Sequence, residues 1–471
     1  MTATADGRSL RSHTAAIRHL DAARAREIVA LFRRPAAVDG PDIADVGADP
    51  LLAAADRCVS LERTAADPAT IYGHATVHLY LHGLRRLPPS VARELAEHRG
   101  HLYLDALRRI TDAVAATLAG HRGGGLSLNG LRHVSAAAAR ALGRHAGEIS
   151  LDRLRRLEPG VALGLAPHDY PLYLQGLERL SPRAAAALSL HRGDLYIDRL
   201  AHLSGRVATH LCRHRGNLHL HGVQVLSTAA IAACGRRTGL LCLSRLARLT
   251  AAQADRLARH RGPLQLLSLR IDADTAAALG RHAGSLCIAV DDAIDAEHIG
   301  LLVQHDGPIA FKRISRLDAA QARGLAAQPC RGGVPGLTAL GLDDVREVGP
   351  AIAAILAGHR AGGLSLGKVA SLSEDTAREL VRHPLLGLDG IRAVTDRVAG
   401  VLAGFDGWSL SLRGLVEASP AAVAKLRSNP RIELSRRLAG AGHAAAAGGP
   451  GRDGLVAAIA RIAAGPQPAA A

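Results

Sequence analysis

The sequence is poor in aromatic side chains and in lysine. Aromatic residues make up 2% of the 471-residue chain, although 48% of it is hydrophobic. Any core must therefore be filled by Leu, Ala, Val and Ile, which argues against an ordinary enzyme core. Lysine occurs three times, at Lys312, Lys368 and Lys425, beside 55 Arg. This preference for Arg, together with abundant Ala and Gly, indicates a GC-rich genome and weakens a functional interpretation of the charge.

Other features are missing as well. No run of 18 or more apolar residues offers a membrane span, and the N-terminus lacks the apolar stretch of a signal peptide. The six Cys show no metal-binding spacing and are expected to be reduced thiols. We therefore expect a cytoplasmic protein that needs no metal and no cofactor. Its net charge of +16 favours acidic partners or polyanions.

One unit recurs from Leu79 to about Arg431. Its form is L-x-L-x-x-L-x-x-L-[ST]-x-x-x-A-x-x-L-x-x-H-R-G-x, normally 23 residues long. Self-similarity at this period is the signature of a solenoid. An insertion at residues 328–336 interrupts the eleventh copy and is a candidate binding loop or hinge. The fifteen copies begin at Leu79, Leu102, Leu126, Ile149, Leu172, Leu195, Leu218, Leu241, Leu264, Leu286, Ile309, Leu340, Leu364, Leu386 and Leu410.

Each copy predicts one strand followed by one short helix. The opening L-x-L alternates as a half-buried strand does. The tenth position holds residues that cap helix N-termini, and Pro at the next position fits the first helical residue. Gly at the twenty-second position predicts a left-handed residue that ends the helix. Examples of the cap are Thr111, Ser135, Ser181, Ser204, Ser227, Thr250, Ser373 and Ser419; the prolines are Pro89, Pro159, Pro182, Pro350 and Pro420.

This unit resembles the leucine-rich-repeat family, most closely its bacterial variants with a short 23-residue repeat. It differs from the better-known L-x-x-L-x-L-x-x-N/C-x-L form in having no ladder Asn. The resemblance covers residues 79–431 and implies an α/β solenoid, an arc with a parallel concave sheet and short convex helices. Around it we expect a disordered N-terminus over 1–13, a helical cap with a degenerate first repeat over 14–78, a cap strand within 432–438 and an Ala/Gly/Pro-rich tail over 439–471.

The twentieth position is His in eleven copies. Two interpretations fit: a structural ladder in which ring N–H groups bond carbonyls near the helix end, or a ladder of zinc ligands. We favour the structural one, because a regularly repeated residue is expected to serve stacking. Four copies also replace it, with Arg237, Gln328, Phe405 and Asn429. The histidines are His98, His121, His145, His168, His191, His214, His260, His282, His305, His359 and His383.

The second strand position points out of the predicted concave sheet and holds four of the six Tyr. Tyr is a good strand former, but it is also enriched in recognition surfaces. Tyr80 with Tyr103 and Tyr173 with Tyr196 should form two aromatic pairs, and the small Ser127 and Ser150 between them should leave a shallow trough for a partner. Neighbouring charged side chains are predicted to orient it: Asp105, Asp152, Asp198, Arg153 and Arg199.

The residues at the fourth and fifth positions of the copies alternate between two kinds of pair. A neutral polar residue before Gly, as in Gln175-Gly176, alternates with Asp before Ala or Arg, as in Asp152-Arg153. The alternation gives a double period of about 46 residues, which suggests an ancestral duplicated unit. No nucleophile and no phosphate-binding loop accompanies these carboxylates, so we predict no catalytic residues.

Positions seven and eight form a basic ridge. It is either a solvated edge enriched in Arg by codon bias or a polyanion site, although it lacks the aromatic side chains that nucleic-acid readers interleave with basic ones. We predict a non-enzymatic scaffold that binds an acidic protein partner through the concave face. The alternative is electrostatic binding of nucleic acid or another polyanion through the Arg-rich rim. No membrane or small-molecule partner is evident. The ridge comprises Arg85, Arg86, Arg108, Arg109, Arg132, Arg155, Arg156 and Arg179.

Overall fold

A computed structural model of the chain describes residues 18–33, 78–122, 124–305, 307–329, 338–359, 362–435 and 438. The chain forms two compact units, which meet in sequence between Val223 and Gln224. We call them the N-terminal and the C-terminal unit. The predicted tails at 1–13 and 439–471, most of the predicted cap at 14–78 and residues 330–337 of the insertion lie outside the described residues.

Both units repeat a short strand followed by a short helix. The N-terminal unit contains α1 (Ala22–Arg33), β1 (Leu79–Tyr80), α2 (Pro89–Ala96), β2 (Leu102–Tyr103), α3 (Asp112–Ala119), β3 (Leu126–Ser127), α4 (Ala136–Leu142), β4 (Ile149–Ser150), α5 (Pro159–Leu165), β5 (Leu172–Tyr173), α6 (Pro182–Leu188), β6 (Leu195–Tyr196), β7 (His202–Leu203), α7 (Gly205–Leu211) and β8 (Leu218–His219).

The C-terminal unit continues the same alternation. It contains β9 (Val225–Leu226), α8 (Thr228–Cys234), β10 (Leu241–Cys242), α9 (Ala251–Leu257), β11 (Leu264–Leu266), α10 (Ala273–Leu279), β12 (Leu286–Ala289), α11 (Ala296–Leu302), β13 (Ile309–Lys312), α12 (Ala319–Ala326), β14 (Thr338–Gly341), α13 (Pro350–Leu356), β15 (Gly362–Ser365), α14 (Glu374–Leu380), β16 (Leu385–Gly387), α15 (Asp396–Ala403), β17 (Ser409–Leu412), α16 (Pro420–Arg427) and β18 (Ile432–Leu434).

The strands of each unit form a parallel sheet in sequence order. In the N-terminal unit β1 to β6 and β8 are neighbours, and in the C-terminal unit β10 to β18 are. The first residue of each copy pairs with the first residue of the next, for example Leu172 with Leu195 and Ile309 with Leu340. The second pair joins the copies on either side of the insertion, so the insertion leaves the register intact. The predicted α/β solenoid is confirmed.

The helices begin where the sequence predicts. The hydroxyl of Ser181 accepts a hydrogen bond from the N–H of Ala184, which satisfies one of the unpaired donors at the start of α6. Pro182 occupies the first helical position, where its missing N–H leaves no bond unmade. No helix among the described residues is long and apolar enough to cross a membrane.

Leucine side chains fill the interior of each coil. In the fifth copy Leu172, Leu174, Leu177 and Leu188 are all fully buried between the strand and α6. At the N-terminal end, α1 packs against α2, and the guanidinium of Arg26 forms an ion pair with Glu94 at 2.7 Å. Helix α1 therefore covers the first coil with the buried face that includes Ile28.

The predicted role of Gly at the twenty-second position is wrong. Among the described glycines a left-handed φ occurs only at Gly124, at 143°, and the helices end in right-handed or nearby conformations. A Cβ on Gly147 would instead lie 2.1 Å from the carbonyl oxygen of Gly124 in the preceding coil, and one on Gly216 would lie 2.2 Å from that of Gly193. Glycine is needed here because two coils touch through their backbones.

A second set of close approaches explains the double period. A Cβ on Gly130, Gly176 or Gly222 would lie 2.3, 1.7 or 2.1 Å from the carbonyl oxygen of the Asp that precedes it by one coil. These aspartates are Asp105, Asp152 and Asp198. Because the contact occurs at alternate coils, the intervening coils accommodate a side chain such as that of Arg153 or Arg199.

Candidate recognition surface

The two predicted tyrosine pairs are present on the strand face of the N-terminal unit. The rings of Tyr80 and Tyr103 stack with centroids 4.4 Å apart and planes inclined by 15°. Tyr173 and Tyr196 stack at 4.5 Å and 17°. Since offset aromatic pairs contribute about 0.5–1.5 kcal/mol beyond area burial, stacking holds these rings in fixed positions on the surface.

Histidines extend both pairs. His219 stacks on Tyr196 at 4.1 Å and 5°, so Tyr173, Tyr196 and His219 form a tyrosine column over three neighbouring strands. At the first two strands the rings of His78, His82 and His101 surround the other tyrosine pair; with Tyr80 and Tyr103 they form what we call the N-terminal aromatic cluster. Because His219 and His101 are only 1% and 8% exposed, these two rings hold the tyrosines in place and add little exposed aromatic area.

Glu148 connects the cluster to the column. One of its carboxylate oxygens lies 2.6 Å from Nε2 of His101, and the other accepts a hydrogen bond from the hydroxyl of Tyr173 at 3.4 Å. The pair needs the empty space above Gly125, because a Cβ there would lie 2.1 Å from His101 Nε2 and 2.4 Å from Glu148 Cγ. His101 and Glu148 belong to coils two apart, which sequence reasoning had no means of relating.

The small serines between the pairs belong to a polar ladder. Ser127 donates to the Asp105 carboxylate at 2.6 Å, and the same oxygen accepts the N–H of Asn129 at 3.0 Å. Asn129 Oδ1 in turn accepts from Ser150 and from the N–H of Asp152. The trough predicted between the aromatic pairs is therefore lined by hydrogen-bonded polar groups, and part of the acceptor capacity of Asp105 is used by the fold.

The carboxylates along this ladder titrate differently. Burial opposes ionisation of Asp105, but hydrogen bonds from His82, Ser127 and Asn129 outweigh it and lower its pKa. Burial raises the pKa of Asp152, which accepts the N–H of Gln175 at 3.0 Å. Burial and the nearby Asp152 raise the pKa of Asp198 to about 7. Asp198 Oδ1 is buried and has no hydrogen-bond donor within reach among the described residues.

An arginine-rich cleft borders the strand face beside the tyrosine column. It has a volume of about 1560 Å³ and lies between the fourth to tenth positions of the third to sixth copies. Its floor includes Asp152, Gln175 and Asp198, and its walls carry six Arg. These arginines are Arg132, Arg153, Arg155, Arg156, Arg179 and Arg199. The predicted basic ridge and the predicted Asp and Arg site residues thus meet in one concave site.

Most of these guanidinium groups are uncompensated. Arg155 lies 3.6 Å from Glu178, with both side chains largely in water. The other five are exposed, and no described carboxylate forms an ion pair with them. Arg156 and Arg179 also face each other through a backbone bridge between neighbouring coils. The cleft therefore gathers six Arg, while Arg85, Arg86, Arg108 and Arg109 of the ridge are exposed outside it.

The repeated histidines form a buried ladder away from this surface. All eleven are at most 2% exposed, and neighbouring rings stack, as His168 does on His191 at 5.7 Å and 12°. Ring nitrogens of several histidines contact main-chain carbonyls: His145 Nε2 lies 2.9 Å from the oxygen of Gly124 and His282 Nε2 lies 3.1 Å from that of Gly262, both in the preceding coil. His260 and His305 contact carbonyls of their own coil. The ring nitrogens of His121, His168 and His191 have no hydrogen-bond partner among the described residues, so the predicted bonding to carbonyls holds for part of the ladder only.

Three of the four substitutes at this position supply a hydrogen-bond donor in place of histidine, and the fourth, Phe405, has none. Gln328 Nε2 donates to the carbonyl oxygen of Gly307 at 3.1 Å, and Asn429 Nδ2 donates to that of Phe405 at 2.7 Å. Arg237 Nε donates to the carbonyl oxygen of Leu240. Histidine therefore does the work of the ladder Asn that the repeat lacks.

Burial keeps the ladder neutral. Burial, followed by the neighbouring imidazoles His145 and His98, lowers the pKa of His121 to about 3. Burial also lowers the pKa of His168, His260 and His359 to about 4 each. A ring that stays uncharged can both donate to and accept from the backbone.

The C-terminal unit repeats the polar ladder without the tyrosines. The Asp343 carboxylate accepts from Ser365 at 2.5 Å and from the N–H of Gly367 at 3.2 Å. Lys312, 5% exposed, lies 3.7 Å from the other Asp343 oxygen. Two of the three lysines thus lie here, since Lys368 pairs with Asp344 at 2.5 Å. Asp-to-backbone bonding is a general stacking device of this chain.

Strands and helices that alternate in this register form an α/β solenoid. Several solved structures are similar to the chain at low sequence identity and low TM-score. One is a leucine-rich-repeat protein of Leptospira interrogans, at 14% identity and TM-score 0.32, over 78% of this chain and 98% of the other. An internalin of Listeria monocytogenes matches at 11% identity and TM-score 0.30, over 82% of this chain and 95% of the other. A chain of the Drosophila Toll–Spätzle complex matches at 11% identity and TM-score 0.39, over 66% of this chain and 46% of the other. No protein-family model matches the sequence. A search of curated proteins finds no relative.

Proposed function

We propose that this chain is a non-enzymatic protein-interaction scaffold that binds an acidic protein through the strand face of its N-terminal unit. The observation that supports it is the stacked aromatic surface of the cluster and the tyrosine column, bordered by the arginine-rich cleft. Stacked tyrosines offer large contact area with little entropy left to lose. The cytoplasmic location remains a prediction from the cysteines.

A binding role suits the carboxylates better than catalysis does. Asp105 and Asp152 hold the next strand through backbone N–H groups, so their positions are fixed by stacking. The hydroxyls beside them, Ser127 on Asp105 and Ser150 on Asp152, belong to the same polar ladder. The proposal therefore assigns no reaction to this site.

The test is capture of partners by the full-length chain and by a variant with all four tyrosines changed to Ser. Serine occupies the same strand position in β3 and β4, so the variant should keep the fold, which far-ultraviolet circular dichroism checks. The parent should retain one or a few acidic proteins from a lysate of the source organism that the variant loses.

Two results would overturn the proposal. The folded variant could retain the same proteins as the parent, which places recognition elsewhere. The captured material could instead be nucleic acid, whose retention falls by orders of magnitude between low and moderate salt because binding releases counterions. That second result would favour polyanion binding through the Arg-rich rim.

A further inference from the structure

The arginine-rich cleft combines two kinds of polar group that few ligands satisfy together. Its walls offer guanidinium groups, which bind anions with up to five N–H donors each. Its floor offers hydrogen-bond acceptors, the carboxylates of Asp152 and Asp198 on either side of Gln175. A ligand that fits must carry negative charge for the walls and N–H donors for the floor.

The size of the cleft favours a chain segment over a small molecule. At about 1560 Å³ it exceeds the 300–1,000 Å³ that small-molecule pockets usually enclose. It also extends over four successive coils, whose strands lie about 4.8 Å apart. An extended segment that crosses the coils would meet a new set of polar groups at each step.

The negative charge of the carboxylates on the cleft floor favours a peptide over a polyphosphate as the ligand. Phosphate oxygens accept hydrogen bonds and would be repelled by Asp152, whereas a peptide main chain presents N–H groups to the same oxygens. Gly176 in the same lining is buried, and the Asp152 carbonyl fills the place of its missing side chain, so the polar groups that a ligand meets here are the neighbouring carboxylates and arginines.

We propose that the cleft binds an extended acidic segment of a protein partner, whose carboxylates face the wall arginines and whose main-chain N–H groups face Asp152 and Asp198. The proposal rests on the function proposed above and names the part of the partner that this cleft receives. Arg156 and Arg179 are the strongest anion contacts, because they lie side by side on neighbouring coils without a carboxylate partner among the described residues.

The experiment selects short random peptides displayed on phage against the immobilised full-length chain. Selected peptides are then synthesised with a fluorescent label and titrated into the parent, into Arg156→Gln/Arg179→Gln, and into Arg108→Gln/Arg109→Gln. The last variant is the matched control, because it removes the same charge from the exposed ridge outside the cleft. We expect acidic sequences that bind the cleft variant about tenfold more weakly than either of the others.

A second measurement tests the floor. The selected peptide, remade with N-methyl groups on alternate main-chain nitrogens, should bind at least about tenfold more weakly, because each methyl removes a donor. Inorganic polyphosphate and oligothymidylate should compete poorly at moderate salt. Polyphosphate that competes as well as the peptide would overturn the proposal in favour of a polyanion site.

The remaining outcomes are equally decisive. Absence of acidic peptides from the selection, equal binding by the two double variants, or indifference to N-methylation would each overturn the proposal. If proteins captured from lysate are lost by the four-tyrosine variant but kept by Arg156→Gln/Arg179→Gln, the scaffold function stands and the cleft is not the site. If both variants still retain the captured proteins, the scaffold function and the cleft proposal are both overturned.

Discussion

At the scale of single residues, the twentieth position of most copies holds a buried polar side chain, and Phe405 shows that a hydrogen-bond donor is not required in every coil. His145, Gln328 and Asn429 all contact backbone carbonyls of the preceding coil. Such contacts stabilise the stack, because an unsatisfied buried carbonyl costs free energy.

The ladder predicts loss of stability in mild acid. Several ladder imidazoles, among them His121 and His168, have a folded pKa below the unfolded value of about 6.5. The unfolded chain therefore binds more protons between the two values, so the stabilisation is fully present above about pH 6.5 and is lost as the pH falls toward the folded values. The free energy of unfolding, measured by urea denaturation, should decrease steadily from pH 6.5 to 4.

A single ladder residue provides the control for this pH dependence. His260→Gln keeps an amide donor at the position and removes one group whose pKa burial lowers to about 4. The variant should lose less stability than the parent over the same pH range. A parent chain that gains stability on acidification would show that the histidines are protonated in the fold.

Adjacent residues of one strand whose side chains point to opposite faces of the sheet should lose different amounts of stability when those side chains are truncated. Leu174 is fully buried, so Leu174→Ala should lower the free energy of unfolding by about 2–5 kcal/mol through the cavity that it opens. Tyr173, the adjacent outward residue, is half-buried, and Tyr173→Ser should cost much less. Chemical denaturation of both variants measures this, and equal losses would contradict the assigned strand orientation.

At the scale of elements, helix α13 has an N-terminus whose capping a single substitution should improve. Its N-cap is Gly349, which makes no side-chain bond, whereas Ser181 caps α6. A Cβ on Gly349 would meet nothing within 4 Å, and its φ of −81° suits any residue. Gly349→Ser should therefore add a few tenths of a kcal/mol, and Ser181→Ala should remove about 1 kcal/mol. Thermal unfolding of both tests the pair; stabilisation by Ser181→Ala would refute the capping role.

Elements of this chain could be predicted because each copy carries its own local signals. The L-x-L pattern located the strand register and the capping residue at the tenth position located the helix starts, since both depend on neighbours within a few residues. The contact between His101 and Glu148 could not be predicted, because it joins coils two apart across Gly125. The role of glycine was misjudged for the same reason: Gly147 is required by a carbonyl in another coil, not by its own φ.

The candidate site was predicted in part. The two tyrosine pairs follow from placing equal positions of neighbouring copies side by side, and they are confirmed. Their role in binding stays a prediction. The cleft was not predicted, because its lining comes from different positions of four copies.

At the scale of the N-terminal unit, alternate glycines predict which deletions the fold tolerates. Removing residues 126–148, one coil, would bring Arg153 to the carbonyl of Asp105, where a Cβ at the native Gly130 would lie 2.3 Å away. Removing residues 126–171, two coils, would bring Gly176 there instead. We expect the shorter deletion to give the less stable chain, as measured by thermal unfolding. Equal stability would show that the coils adjust freely.

The alternating backbone contacts limit how the number of coils can change during evolution. A solenoid of identical coils can lengthen or shorten by one coil at a time through unequal recombination. Around Gly130, Gly176 and Gly222, a change of one coil places a bulky residue against a carbonyl, so only changes by a pair of coils leave the stacking intact. In the N-terminal unit, relatives of this chain should therefore differ from it by even numbers of coils. Where the difference is odd, the relative should have gained a glycine at the junction between the coils.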